Sequence, residues 1–126
     1  MATVLLVEDQ SAIGMALQEA LLDEGYTVEW IRDGQAAVDR LQQAPVPGVV
    51  LLDLFLPAVG GCGVLLALRS LRTWKDVPVL LVTGAAPFRA DFPPHALYQG
   101  TICKPFDLDE LLVRVAGFLG KGIAHD

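Results

Sequence analysis

Polar side chains stand at the ends of several short apolar runs in this sequence. The residues in these positions are Glu8, Asp9, Asp53, Thr83 and Lys104. Apolar runs rich in Val and Leu are typical of strands that are buried on both faces of a parallel sheet. In such a sheet the C-terminal ends of the strands meet at one rim, where ligands bind. The sequence therefore predicts that these five side chains gather at that rim.

The expected cluster contains three carboxylates but only one lysine. Carboxylates held close together repel one another, and each binds protons more tightly unless a positive charge intervenes. A hard divalent cation relieves this repulsion, and Mg²⁺ typically takes one or two carboxylates together with waters and phosphate oxygens. An aspartate beside such an ion can attack phosphorus and form an aspartyl-phosphate. Lys104 and the Thr83 hydroxyl are suited to bind phosphate oxygens, and the small Gly84 leaves room for them.

Composition and charge narrow the class of protein. The chain has 126 residues, of which 53% are hydrophobic and 19% charged. These values predict one domain over residues 1–120 that needs no disulfides, followed by a loose tail over residues 121–126. The net charge of −6 argues against direct binding to nucleic acid or to an anionic membrane. Because we find no run long enough to span a membrane, no signal peptide and no metal-type cysteine spacing, we expect a cytoplasmic protein.

Hydrophobic periodicity predicts alternating strands and helices. The predicted strands cover residues 3–7, 26–31, 49–52, 77–83 and 101–103. Apolar residues at helical spacing predict helices over residues 11–24, 36–41, 64–71 and 107–119. This alternation is typical of right-handed βαβ units. We therefore predict an α/β fold in three layers, with a doubly wound, five-stranded parallel sheet whose second strand, of mixed polarity, lies at an edge.

The segment Gly84–Gly100 departs from this alternation because it carries three prolines. Proline is tolerated at the first position of a helix, but it breaks a helix interior. We expect the whole segment to be loosely packed, with an irregular fourth helix that opens at Pro87 and ends by Phe92, before the pair Pro93-Pro94. The sequence marks the start of the last helix more clearly, because Asp107 is its predicted N-cap.

Together and in this order, the motifs resemble those of the receiver domains of two-component response regulators. The matching motifs are Glu8-Asp9, Asp53-Leu54-Phe55-Leu56-Pro57, Gly61, Thr83-Gly84 and Lys104-Pro105-Phe106. Each motif is weak by itself, but the ordered set is specific and extends from Thr3 to about Leu119. The resemblance implies a flavodoxin-like fold with the strand order 2-1-3-4-5.

The resemblance also implies a role for each residue of the predicted rim. It makes Asp53 the phosphoacceptor, with Lys104 and Thr83 binding the phosphoryl group. It implies a Mg²⁺ site made of Asp9, Asp53, the Phe55 backbone carbonyl and, through water, Glu8. It further implies that the Lys104–Pro105 peptide bond is cis, which the small energy difference at X-Pro bonds permits.

Regulation by phosphorylation is the function that this resemblance implies. A receiver takes its phosphoryl group from a histidine kinase or a histidine phosphotransfer protein. It is an enzyme only in the sense that it assists its own phosphorylation and dephosphorylation. Because we find no DNA-binding motif after the receiver-like stretch, we expect output through a downstream protein effector, unless this sequence is part of a longer regulator. The resemblance also allows a homodimer.

Three features depart from the pattern of the family. Thr101 occupies the position three residues before the lysine, where the family usually has an aromatic switch residue. Val59-Gly60 replaces the usual Met-Asp or Met-Asn before the loop glycine, and the fourth helix is interrupted by prolines. These departures leave a second function open, in which the chain is a protein-interaction module with an intact pocket but no switch.

Two other functions and several simpler roles are also compatible with parts of the pattern. A phosphohydrolase with an aspartate nucleophile usually has a second aspartate two residues later, where this chain has Phe55. A flavodoxin-type cofactor site needs a glycine-rich and hydroxyl-rich loop after the first strand, whereas Glu8-Asp9 would repel a phosphate. Taken singly, Asp53 could cap a loop and Lys104 could be a surface lysine. The combination of all five residues favours the receiver.

Overall fold

The computed structural model of the protein describes residues 2–84 and 92–120. Its five strands form one parallel sheet with the order β2-β1-β3-β4-β5. The strands are β1 (Thr3–Val7), β2 (Thr27–Ile31), β3 (Val49–Leu52), β4 (Val79–Thr83) and β5 (Gly100–Cys103). The predicted fold class and strand order are confirmed, and β2 lies at an edge of the sheet as expected.

Four α-helices and one 3₁₀ turn connect the strands within the described residues. They are α1 (Ser11–Asp23), α2 (Gly34–Arg40), α3 (Gly61–Ser70), the 3₁₀ turn His95–Leu97 and α4 (Leu108–Phe118). Asp107 caps α4 through its side chain, as predicted. The predicted helix from Pro87 to Phe92 falls, except for its last residue, on residues 85–91, which lie outside the described residues, as does the tail 121–126. No helix in the described part of the chain is long and apolar enough to cross a membrane.

The sheet has an apolar core on each of its faces. Because side chains alternate along a strand, successive residues of β1, β3 and β4 enter opposite cores. One core packs the strands against α2 and α3 around the fully buried Trp74. The other core packs them against α1 and α4. The three central strands are therefore held on both sides, and the residues that follow them start from fixed positions.

Close backbone contacts bring the loop after β3 against the start of α2. The Asp33 side chain accepts a backbone hydrogen bond at 2.8 Å and starts α2 at Gly34, two residues earlier than predicted. A Cβ atom on Gly34 would overlap the backbone of Val59, and one on Gly61 would overlap that of Asp53. Glycine at these positions therefore lets the loop pack tightly beside the end of β3.

Arg69, near the end of α3, ties the segment before β5 to the rest of the domain. Its guanidinium donates hydrogen bonds to the carbonyls of Val77 and Leu97, both at 2.8 Å, and to the Gln99 side-chain oxygen at 2.6 Å. The expectation that the whole segment Gly84–Gly100 packs loosely is therefore wrong for its last residues, because these are hydrogen-bonded to α3.

Replacing Arg69 with alanine should lower the free energy of unfolding by about 2–3 kcal/mol, because several carbonyls would lose their hydrogen-bond donor. Urea unfolding followed by circular dichroism measures the change. Arg72→Ala is the matched control, since Arg72 lies three residues further along and is exposed. An equal loss of stability in both variants would contradict the anchoring role of Arg69.

Candidate functional site

The C-terminal ends of four strands bring the predicted side chains to one rim. Glu8, Asp53 and Lys104 directly follow β1, β3 and β5, and Thr83 is the last residue of β4. Backbone pairing continues into the rim, because the Asp53 N–H donates to the Val7 carbonyl at 3.1 Å and the Lys104 N–H donates to the Thr83 carbonyl at 3.0 Å. The sheet itself therefore fixes the backbone of the site.

The Lys104 ammonium group joins two of the acids. Its Nζ lies 2.9 Å from Glu8 Oε1 and 3.0 Å from Asp53 Oδ2, and it also donates to the side-chain oxygen of Gln10 at 3.5 Å. Glu8 and Asp53 are only 1% and 4% exposed, so water solvates their charges poorly. An unpaired carboxylate at such a position would be very unfavourable. Lys104 supplies the compensating charge.

Burial and ion pairing act in opposite directions on Glu8 and Lys104. Burial raises the pKa of Glu8 above its ordinary value, although hydrogen bonds from Lys104 and from the Gln10 backbone N–H partly offset this effect. Burial by itself would lower the pKa of Lys104, but the hydrogen bonds to Glu8 and Asp53 and their negative charges outweigh it and raise that pKa. Lys104 therefore remains a cation near neutral pH.

Three carboxylates at this rim lie close enough to share one cation. Glu8, Asp9 and Asp53 each offer an oxygen atom, and these oxygens all lie within 4.8 Å of one another. The single Lys104 leaves part of their negative charge uncompensated. Clustered oxygen donors with excess negative charge suit a hard cation such as Mg²⁺. The residues present therefore fit the metal that the sequence predicts.

Asp53 is oriented by a contact on each of its carboxylate oxygens. Lys104 contacts Oδ2, and the backbone N–H of Phe55 donates to Oδ1 at 3.0 Å. Phe55 is 53% exposed, whereas Thr83 is almost completely buried at the same rim. The Lys104–Pro105 bond is cis, as predicted. The proposed metal contact of the Phe55 carbonyl stays a prediction, as do the individual roles of the other site residues.

Two side chains at the end of β2, neither of which was predicted from the sequence, also reach the acid pair. Trp30 donates from Nε1 to the Glu8 carbonyl at 2.8 Å, and Arg32 donates from Nη2 to the Asp9 carbonyl at 3.5 Å. The Arg32 guanidinium lies 4.7 Å from the centroid of the Trp30 ring. The signal that could have found them is the parallel pairing of β1 with β2, which places residues 30 and 32 beside the end of β1.

Comparison with known sequences points to one protein family. The sequence profile of the response regulator receiver domain matches residues 4–116. The transcriptional regulatory protein QseB of Haemophilus influenzae is 39% identical over 121 residues, which are 94% of this chain and 52% of that protein. The transcriptional regulatory protein TcrA of Mycobacterium tuberculosis is 36% identical over 120 residues, which are 94% of this chain and 46% of that protein. The chain thus spans about half the length of these relatives.

Solved structures share the fold over almost all of the chain. The chemotaxis response regulator CheY4 of Vibrio cholerae has a TM-score of 0.85 and 30% identity, covering 94% of this chain and 99% of that one. The receiver domain of the sensor histidine kinase PA1611 of Pseudomonas aeruginosa, solved with magnesium in its active-site cleft, has a TM-score of 0.80 and 26% identity, covering 94% and 98%. From the rim geometry, the profile match and these structures, we conclude that this chain belongs to the response regulator receiver domain family.

Proposed function

We propose that this receiver domain, in the cytoplasm, accepts a phosphoryl group onto Asp53 from a histidine kinase or a histidine phosphotransfer protein, and so changes its binding to a downstream protein. The position of Asp53 carries the proposal. It is 4% exposed, with Lys104 on one oxygen and the Phe55 N–H on the other. A purely structural aspartate would be satisfied by these two contacts. It would gain nothing from the neighbouring carboxylates of Glu8 and Asp9, which repel it.

The acid cluster would hold Mg²⁺ through Asp9, Asp53 and the Phe55 backbone carbonyl, with Glu8 acting through water. The bound ion would neutralise part of the negative charge on the carboxylates and on the incoming phosphoryl oxygens. This assignment is supported by the mutual distance of the carboxylate oxygens. It is also supported by the magnesium in the PA1611 receiver domain and in the response regulator TrrA of Thermotoga maritima, whose structure contains Mg²⁺ and a beryllium fluoride group.

Asp53 would act as the nucleophile of the transfer. One of its oxygens forms a bond to phosphorus while the phosphorus–nitrogen bond of the donor phosphohistidine breaks, and the electron pair of that bond returns to the imidazole nitrogen. The negative charge of Asp53 is thereby replaced by charge on the phosphoryl oxygens. Lys104 can bind one of these charged oxygens, and the Thr83 hydroxyl can donate a hydrogen bond to another. The two residues would hold the phosphoryl group without exchanging a proton.

Incubation with Mg²⁺ and a small phosphodonor should add the mass of one phosphoryl group to the protein, as measured by intact-mass spectrometry. Asp53→Asn should abolish the addition, because the amide is a poor nucleophile, and a chelator should abolish it in the wild type. Asp39→Asn is the matched control, since Asp39 is exposed on α2, away from the rim strands. Undiminished labelling of Asp53→Asn would refute the proposed phosphoacceptor.

Phosphorylated Asp53 should persist longer than the phosphoaspartate of most receiver domains. Phe55 lies two residues after Asp53, where a polar side chain could orient an attacking water molecule, and its exposed ring cannot do so by hydrogen bonding. The same position lacks the second aspartate of a phosphohydrolase. Phe55→Asn should therefore accelerate loss of the phosphoryl group several-fold, as followed by intact mass after removal of the donor. An unchanged rate would contradict this explanation.

The route from the site to a partner would pass through the connection between β4 and β5. Thr101, in place of the usual aromatic residue, is too small to fill the space that an aromatic ring would occupy. Aromatic contacts are found earlier in the connection instead, where Tyr98 lies 5.8 Å from Phe92 and 5.7 Å from His95 between ring centroids. Because Arg69 anchors the end of the connection, movement would be concentrated before this anchor.

Phosphorylation or a beryllium fluoride mimic should change amide hydrogen exchange mainly between Gly84 and Gly100, with little change at Thr101. Within this range we expect Gln99 to change least, because Arg69 and the β4 backbone hold it. Arg69→Ala serves as the comparison and should extend the change to Gln99. Exchange changes confined to residues 55–61, with the connection unaffected, would argue against this route.

A further inference from the structure

Trp30 supplies a hydrogen bond that the sheet cannot make at the end of β1. The Glu8 N–H donates to the Ile31 carbonyl at 3.0 Å and so continues the pairing with β2 by one step. Beyond this point the neighbouring chain turns away, because Asp33 caps α2. The Glu8 carbonyl instead accepts the Nε1–H of Trp30 at 2.8 Å. Since Glu8 is 1% exposed, its backbone carbonyl needs a partner from the protein.

This hydrogen bond also constrains Asp9. The Glu8 carbonyl and the Asp9 nitrogen belong to one planar peptide group, so fixing the carbonyl fixes the plane from which Asp9 extends. The next N–H, that of Gln10, donates to Glu8 Oε2 at 3.0 Å. The peptide groups on both sides of Asp9 are therefore held, while its carboxylate is left to face the other two acids.

Neighbouring residues restrict the position of the indole. A Cβ atom on Gly14 of α1 would overlap the six-membered ring of Trp30, so the helix backbone lies directly against it. The Arg32 guanidinium lies 4.7 Å from the ring centroid and also donates to the Ser11 hydroxyl and the Asp9 carbonyl. The indole therefore has little freedom to move away from Glu8.

We propose that Trp30 is a positioning residue for the acid pair, which holds the Glu8–Asp9 peptide in the orientation that binds Mg²⁺. This inference rests on the proposed function, because it takes the acid cluster as a metal site. The chain offers an internal contrast. Trp74 is fully buried, and its Nε1 has no hydrogen-bond partner within the described residues. Trp74 thus contributes through packing, whereas Trp30 also contributes its N–H group.

The two tryptophans give a matched pair of variants. Trp30→Phe keeps an aromatic ring but removes the donor to Glu8, and Trp74→Phe removes an indole N–H that has no partner in the described part of the chain. We expect Trp30→Phe to raise the dissociation constant for Mg²⁺, measured by titration calorimetry, by about 2- to 10-fold, the net effect of losing one hydrogen bond. Trp74→Phe should leave it unchanged although it creates a buried cavity.

A third variant tests the position of the Trp30 indole while keeping its N–H group. Gly14→Ala keeps the indole N–H but forces the ring away from α1, and it should also weaken Mg²⁺ binding. An Mg²⁺ dissociation constant for Trp30→Phe equal to that of the wild type would overturn the inference. An equal rise in Trp74→Phe would also overturn it, because general loosening of the domain would then explain the effect.

The metal-free protein provides an independent readout. In two-dimensional amide spectra without Mg²⁺, Trp30→Phe should shift the resonances of Asp9 and Gln10, and Trp74→Phe should leave them in place. Unchanged Asp9 and Gln10 resonances in Trp30→Phe would overturn the inference. If the wild type bound no Mg²⁺, both the metal site of the proposed function and the metal-binding part of this inference would be refuted, and the spectra would still decide whether Trp30 positions the acid pair.

Discussion

The gathering of three carboxylates, two of them paired with one lysine, at the rim of the sheet is the interaction on which the rest of the structure depends. Two like charges 4 Å apart repel by about 4 kcal/mol at the effective dielectric typical of sites near a protein surface. Side chains on flexible loops would relax this repulsion by moving apart. Here Glu8, Asp53 and Lys104 directly follow three strands of one sheet, so they cannot separate without disturbing the core. The fold therefore maintains a site with excess negative charge, which a cation and then a phosphoryl group can use.

The part of this site that follows from strand ends could be predicted from the sequence. Apolar runs locate the buried strands, parallel topology aligns their ends, and the positions of Asp53 and Lys104 follow directly. Strand pairing indicates that Trp30 lies beside the end of β1, but the specific hydrogen bonds of Trp30 and Arg69 could not be predicted in this way. They depend on which backbone carbonyls the tertiary structure leaves without a partner, and periodicity carries no information about that. The early start of α2 had a different cause, because Asp33-Gly34 fits a turn as well as it fits a helix N-cap.

The connection between β4 and β5 shows how one side chain can divide a segment into two parts. Arg69 donates hydrogen bonds to the Leu97 carbonyl and the Gln99 side chain, so the end of the connection is held against α3. The aromatic contacts of Tyr98 with Phe92 and His95 lie at or before this anchor. The rearrangement proposed for this connection would therefore leave its anchored end in place.

Whether such a rearrangement can be driven from Asp53 is a question of energy. Charge-assisted hydrogen bonds contribute about 1.5–3 kcal/mol each, so Thr83 and Lys104 together could supply about 3–6 kcal/mol on binding a phosphoryl group. Inverting a two-state equilibrium from 1:99 to 99:1 requires about 5.5 kcal/mol. An aromatic residue at position 101 is therefore not an energetic requirement. Lys104, however, already contacts Glu8 at 2.9 Å, and weakening that contact reduces the net gain. Under the proposed function the switch would approach its upper limit only when another positive charge compensates Glu8, so metal binding and switching would depend on the same carboxylate.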